Sequence, residues 1–297
     1  MKNIMYHYVK NRDRIYPYIN SLSDKDFRTQ LQYFINTLGI ISNEKEITNC
    51  PNKYLLTFDD GLKDHLKVSK ILKSKGLIGI FFISTYPLIK KKFLDVHKLQ
   101  IIFSKIKAEK IILECDNYFK KNKLKIKDFN FLMSKKQKKI YKFDNNGVRK
   151  IKTLLNYEIN PKIRKKIINH LVRKFKINFD FKKFYLSKTD IIKMHKMGMI
   201  IGSHGVTHEV MSQLSLKEQI IQIKNSKKYL EKIIDSKIDY FCYPYGKKFT
   251  YNKKIFQLLK NNNYKAAFSA IPKNTYKKDF IYKRFAINRY DTNYFDK

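Results

Sequence analysis

The chain of 297 residues is 43% hydrophobic and 14% aromatic, enough to bury a large core in one domain with insertions or in two, which excludes wholesale disorder. A formal charge of +39 draws anionic surfaces and polymers, so nucleic acid, anionic lipid and acidic glycan are all compatible with it. The excess is nearly all Lys spread along the chain, with no Trp and no nucleic-acid-binding signature among the lysines, which argues for a composition bias and against a nucleic-acid site.

Residues 4–9 form the first of seven short apolar runs, the others being 54–58, 78–84, 199–203, 240–243, 266–269 and 281–287. Runs of this length bounded by Gly, Pro or Asp suit buried parallel strands. Between the first two, Ser23 and Asp26 open a helix with Phe27, Leu31, Phe34, Ile35 and Leu38 on one face and Gly39 as its stop. Residues 64–75 form a second helix ending at Gly76. From residue 87 to residue 186 the rhythm changes to Lys-rich amphipathic stretches, such as 95–106 and 163–175, with Ile101, Ile102, Leu154, Leu155, Ile167 and Leu171 at helical spacing. This predicts a helical insertion, either a cap or partner surface, or a solvated subdomain with no catalytic part. Ser187 with Asp190, and Ser215 with Glu218, are capping-box patterns opening two further helices. The expected organisation is therefore an α/β pattern in two parts, residues 1–86 and 187–297, interrupted by the insertion 87–186.

Cys50, Cys115 and Cys242 stand far apart with no CxxC pair, so neither a disulfide framework nor a cysteine zinc site is implied. Residues 1–8 meet charge almost at once and lack the apolar stretch of a secretory signal, and no run approaches the roughly 18 apolar residues that span a bilayer. A cytoplasmic protein, peripheral to the inner face of an anionic membrane if it meets lipid, is the expectation.

Three short segments carry chemistry. Asp59-Asp60-Gly61 follows the run 54–58, so both carboxylates fall at the carboxyl end of a strand, where α/β sheets and barrels place their sites. Neighbours on an extended chain point in opposite directions, so one carboxylate can ligate a metal while the other stays available as a base, with Gly61 permitting the sharp turn. His204 and His208 follow another strand. Their HxxxH spacing is that of metalloprotease helices, but Gly205 stands where that motif requires Glu, and Gly205-Val206-Thr207 reads as loop. One carboxylate and two imidazoles leave an open position on a zinc-type ion. Tyr243-Pro244-Tyr245-Gly246 ends a third run in a turn that can face an amide N–H into a cavity, as an oxyanion requires. Each segment alone is as readily a common turn or a chance pair of histidines.

Together, TFDDG, SHGVTH and YPYG, in this order at strand ends, resemble the polysaccharide deacetylase family with the NodB homology domain, similar to carbohydrate esterase family 4. The resemblance runs from Ile4 to about Tyr290 apart from the insertion, and extends to Met5-Tyr6-His7. It implies an irregular (β/α)7 barrel, hydrolysis of an N-acetyl or O-acetyl group on a sugar, a divalent metal with zinc foremost, and an acetylated sugar, polysaccharide or lipid-linked glycan as partner. By position it implies Asp59 as general base, Asp60, His204 and His208 as metal ligands, and the Tyr245 N–H as oxyanion donor.

The sequence departs from the family in three places. Cys242 stands where many members carry an Arg that orients the base, so this segment is of an Arg-less kind. Gly205 replaces the usual Ser or Thr, removing a loop hydrogen bond worth about 1 kcal/mol. No histidine follows His208 to protonate the leaving amine, and Arg284 to Arg289, near the expected place, cannot readily donate a proton. His7, at the end of the first strand, is the foremost substitute, with His65 and His97 behind it. A glycan-binding or scaffold protein that kept the metal site and lost the acid is the alternative function.

Overall fold

Six strands form where apolar runs lie, β1 (Lys2–Tyr6), β2 (Tyr54–Phe58), β3 (Gly79–Ile83), β4 (Ile200–Ser203), β5 (Tyr240–Cys242) and β6 (Ala266–Phe268), and β7 (Tyr290–Asp291) follows the last run. The computed structural model describes residues 1–12, 19, 21–124 and 146–295; residues 125–145 of the expected insertion lie outside them. All pairings are parallel, in the order β6-β5-β4-β3-β2-β1-β7. The sheet curls until its ends are joined by one stretch of chain: Ile287 bridges to Phe268 on β6, and Tyr290 pairs with Ile4 on β1. This is the irregular (β/α)7 barrel.

The side-chain period of two sorts each strand between two cores. Leu55, Ile80, Phe82, Tyr240, Cys242, Ala266, Phe268 and Ile287 pack together on one side of the sheet, while Leu56, Phe58, Phe81, Ile83, Phe241 and Tyr243 pack with the helices on the other. Each fully buried Leu, Ile or Phe contributes about 1.5–3 kcal/mol. The helix Asp24–Asn36 starts at Ser23, whose hydroxyl accepts from the Asp26 N–H at 3.1 Å, and buries Phe27, Leu31 and Phe34. Both capping boxes form, at the helices Lys188–Lys196 and Leu216–Ile220.

The last apolar run differs from its expectation. Lys277–Tyr282 is a helix, closed at its start by the Asp279 carboxylate accepting from the Tyr276 N–H at 2.8 Å, and the strand begins only at Tyr290. Hydrophobicity misplaces this strand because its pairing residues, Tyr290 and Asp291, are half-buried at the barrel seam.

The chain divides into two compact units: Met1–Asn11, Asn20–Phe93 and Asp180–Lys297 make the barrel, and Arg12–Ile19 with Leu94–Phe179 make the second. In the second, the helices Asp95–Lys105, Ala108–Lys121, Asn146–Thr153 and Pro161–Lys174 bury Ile101, Ile102, Ile111, Ile151, Ile167 and Leu171, and Leu155 is buried on the turn Leu154–Glu158. Among the described residues no helix is long and apolar enough to cross a membrane.

Candidate active site

Parallel strands deliver their carboxyl ends to one face. β1 leads into His7, β2 into Asp59 and Asp60, β4 into His204, and β5 into the Tyr243 to Gly246 turn. Main-chain hydrogen bonds hold these ends in register: the Asp59 N–H donates to the Tyr6 carbonyl and the His204 N–H to the Ile83 carbonyl, both at 3.0 Å. Three site residues then take left-handed backbone, Asp60 at φ 79°, His208 at φ 58° and Tyr245 at φ 63°. The other non-glycine residues with positive φ, such as Cys50, Lys91 and Asp235, are helix C-terminal positions where that conformation is ordinary. In the three site loops it is strain retained for placement.

The Asp60 Oδ1 lies 3.5 Å from His204 Nε2 and 3.3 Å from His208 Nε2. All three side chains are buried and their ligand atoms lie within 4.8 Å of one another. A tetrahedral zinc with bonds of about 2.1 Å separates its ligands by about 3.4 Å, so the donor set and its spacing fit such an ion. The His204 Nδ1 is 2.8 Å from the Cys242 carbonyl oxygen, which can only accept. Nδ1 therefore carries the proton and the Nε2 lone pair faces Asp60. Burial, against the pull of Asp59 and Asp60, lowers the His204 pKa and favours the neutral ring that ligation needs.

Asp59 faces the other way, onto a residue that the sequence reading left without a role. Arg289, only 1% exposed, places Nη1 2.7 Å from Asp59 Oδ1 and Nη2 2.8 Å from Asp59 Oδ2, a two-pronged charge-assisted pair. The same guanidinium donates to the Thr57 hydroxyl at 3.0 Å, the Ser269 carbonyl at 2.9 Å and the Cys242 sulfur at 2.9 Å. Burial alone would raise the Asp59 pKa, but the Arg289 charge and hydrogen bonds outweigh it and hold the carboxyl down at about 2. Burial pushes the Cys242 thiol well above its usual range, so Cys242 is a neutral neighbour filling the space beside the ion pair. The segment around Cys242 does lack Arg, but the site does not: a guanidinium arrives from the barrel seam.

The loop between the histidines is likewise supported from a distance. Gln222, on a π-helical turn at Ile221–Asn225, accepts through Oε1 from the Val206 and Thr207 N–H groups at 2.8 and 2.9 Å and donates to the Thr207 hydroxyl at 2.8 Å. A Cβ on Gly205, at φ 74°, would meet that Oε1 at 3.2 Å, so the glycine permits both the turn and the close approach. The hydrogen bond expected to be lost at Gly205 is thus replaced by Gln222. Neither residue has a local sequence signal, because the partners lie 15 or more positions apart.

Of the remaining expected residues, the Tyr245 ring packs edge-on against His208 with centroids 4.9 Å apart. His7, half-buried, is close enough to Asp59 to help hold that carboxylate ionised. His65 is fully buried in the barrel unit and His97 belongs to the helical unit. The barrel unit therefore gathers Asp59, Asp60, His204 and His208, with Tyr245 and His7 beside them, and adds Arg289.

A family model described as polysaccharide deacetylase matches residues 122–267, which takes in both histidines and the Tyr245 turn. No curated protein matches the sequence. The fold is shared with solved structures at low identity. The Streptococcus pyogenes deacetylase PplD in complex with acetate is 16% identical with a TM-score of 0.59, over 98% of this chain and 91% of that one. IcaB from Ammonifex degensii is 15% identical with a TM-score of 0.57, over 97% and 90%. A de-N-acetylase from Aggregatibacter actinomycetemcomitans is 12% identical with a TM-score of 0.54, over 97% and 93%.

Proposed function

We propose that the chain, whose residues 122–267 match a family model described as polysaccharide deacetylase, is a divalent-metal-dependent hydrolase that removes N-acetyl or O-acetyl groups from a sugar polymer or glycan precursor. The observation that carries this reading is the division of two adjacent buried carboxylates, Asp60 toward two imidazoles and Asp59 toward a guanidinium. The acetate in one fold neighbour is consistent with it, being the product of such a reaction.

Asp60, His204 and His208 are the residues that would hold the ion, with zinc the metal best matched to one carboxylate and two imidazoles. A bound ion would supply a water of lowered pKa and a Lewis-acid charge for the acetyl oxygen. Asp59 takes the proton as water attacks the acetyl carbonyl, a role worth about 10²–10⁴ in rate. Arg289 keeps Asp59 in its ionised form and fixes both oxygens, each of which retains a lone pair for the water. The Tyr245 N–H, on a backbone held at φ 63°, donates to the oxyanion that develops. His7 protonates the leaving nitrogen or oxygen, since Arg289 is committed to Asp59 and stays charged. The charge of +39 favours a substrate presented at an anionic surface, such as a lipid-linked glycan at the inner face of a membrane.

The test is release of acetate from N-acetylated and O-acetylated oligosaccharides by zinc-loaded protein. Turnover that a chelator abolishes and zinc restores is the expected result. Protein with stoichiometric zinc that leaves acetylated sugars of every class untouched contradicts the proposal.

A further inference from the structure

Immediately downstream of the carboxylate pair, Asp64 and His65 open the helix His65–Ser74, and both turn away from the roles their positions suggest. An Asp at a helix N-cap ordinarily accepts from the second or third N–H of its own helix. Asp64 makes no such bond; its Oδ2 accepts from the Val9 N–H at 2.6 Å. His65 is fully buried, its ring 5.6 Å from that of Phe58 and 5.8 Å from that of Phe81, and its Nε2 is 2.8 Å from the His7 carbonyl oxygen. A carbonyl only accepts, so Nε2 carries the proton and Nδ1 is the bare nitrogen, with no hydrogen-bond partner among the described residues. A phenylalanine would fill this aromatic pocket without stranding a polar atom. What histidine adds is one N–H aimed at the main chain of His7.

The chain leaving β1 is thereby fixed at three consecutive residues. His65 holds the carbonyl of residue 7, the Leu22 N–H donates to the carbonyl of Tyr8 at 3.0 Å, and Asp64 holds the amide of residue 9. Residue 7 otherwise stands just past the strand end with a half-buried side chain. A proton donor must sit within about 3 Å of the atom it serves, and a misplacement of about 1 Å can cost about 10²-fold in rate.

We propose that Asp64 and His65 are positioning residues that lock the backbone under His7 and so hold its imidazole in place as the proton donor to the leaving group. The inference rests on the acid role given to His7 above. It ties the donor strand to the carboxylate strand through the residues that follow Asp59-Asp60-Gly61, so the two proton-handling groups are set by one stretch of chain.

The experiment compares His65→Phe, His65→Gln, His7→Gln and the His7→Gln/His65→Phe double variant on an N-acetyl sugar and on an aryl acetate, whose phenolate departs without a proton. Amide hydrogen exchange at Tyr8 and Val9 is followed in parallel. Expected for His65→Phe are a retained fold, a loss on the N-acetyl sugar at least tenfold greater than on the aryl acetate, and faster exchange at Tyr8 and Val9. His65→Gln, which keeps a side-chain N–H, recovers part of the loss, and His65→Phe costs nothing more once His7 is Gln. Equal losses on both substrates, additive losses in the double variant, or unchanged exchange at Tyr8 and Val9 would overturn the proposal. If His7→Gln itself affects both substrates equally, the acid role of His7 fails, and the exchange rates alone decide whether His65 holds the segment.

Discussion

Asp59 and Asp60 are chain neighbours with the same 2% exposure, yet they end in opposite electrostatic settings. On one side a permanently charged guanidinium neutralises Asp59 through both oxygens. On the other, Asp60 faces two imidazoles, of which His204 is kept toward its neutral form by burial. A buried carboxylate requires a compensating charge. The protein supplies it to Asp59 through the Arg289 side chain, while the Asp60 side has the donors and spacing to hold an ion. The Asp59 half, paired with its own cation, suits proton transfer, and the Asp60 half, facing two imidazoles, suits ligation of an ion. Residue type is therefore a poor guide to role here, and the neighbouring charge is a good one.

The comparison breaks most visibly at Arg289. Arg289→Met leaves the Asp59 charge buried and unpaired, for which about 3–5 kcal/mol of stability is expected to be lost, measurable by urea unfolding. Turnover should fall by about 10²-fold or more as the base loses its fixed geometry, whereas bound metal should remain near one equivalent. Arg289→Lys keeps the charge but not the fork and should fall between the two.

A smaller effect separates the halves by pH. The Asp59 pKa is depressed from 3.8 in the unfolded chain to about 2 in the fold, so the unfolded state binds the proton more readily. Its stabilisation is complete above about pH 4 and is lost as pH falls toward 2, amounting to about 2 kcal/mol. Unfolding free energies of metal-free protein at pH 5 and 2.5 should show this loss in the parent and not in Asp59→Asn.

Smallest is the loop behind the ligands. Gln222→Ala removes three hydrogen bonds to Val206 and Thr207 and should cost about 1–3 kcal/mol, given that the amides it leaves are partly buried. Metal affinity should weaken about tenfold or more, as for other groups that orient ligands, with the identity of the ligands unchanged. Competition with a chromogenic chelator reads that shift.

The trio Asp60, His204 and His208, proposed above to hold an ion, was open to sequence reading because its members sit in short motifs at the ends of apolar runs, and parallel strands carry such ends to one place. The capping boxes at Ser187 and Ser215 were legible for the same reason, since both partners lie three residues apart. Arg289 was not. Its partner Asp59 is 230 positions away, and the run before it, 281–287, looks like a strand although Lys277–Tyr282 is helical. The one trace it leaves is Cys242, a thiol where an arginine is expected, which signals that the guanidinium must come from elsewhere. His65 and Gln222 were equally silent, because each acts on a main chain it meets only after folding.

The most direct measurement is the metal content and turnover of Asp59→Asn and Asp60→Asn, side by side. Asp59→Asn should keep about one equivalent of divalent ion while losing about 10²–10⁴ in turnover, and Asp60→Asn should lose the ion and the activity together. An Asp59→Asn protein that no longer binds the ion, or that turns over at the parent rate, would contradict the division of labour between the two carboxylates.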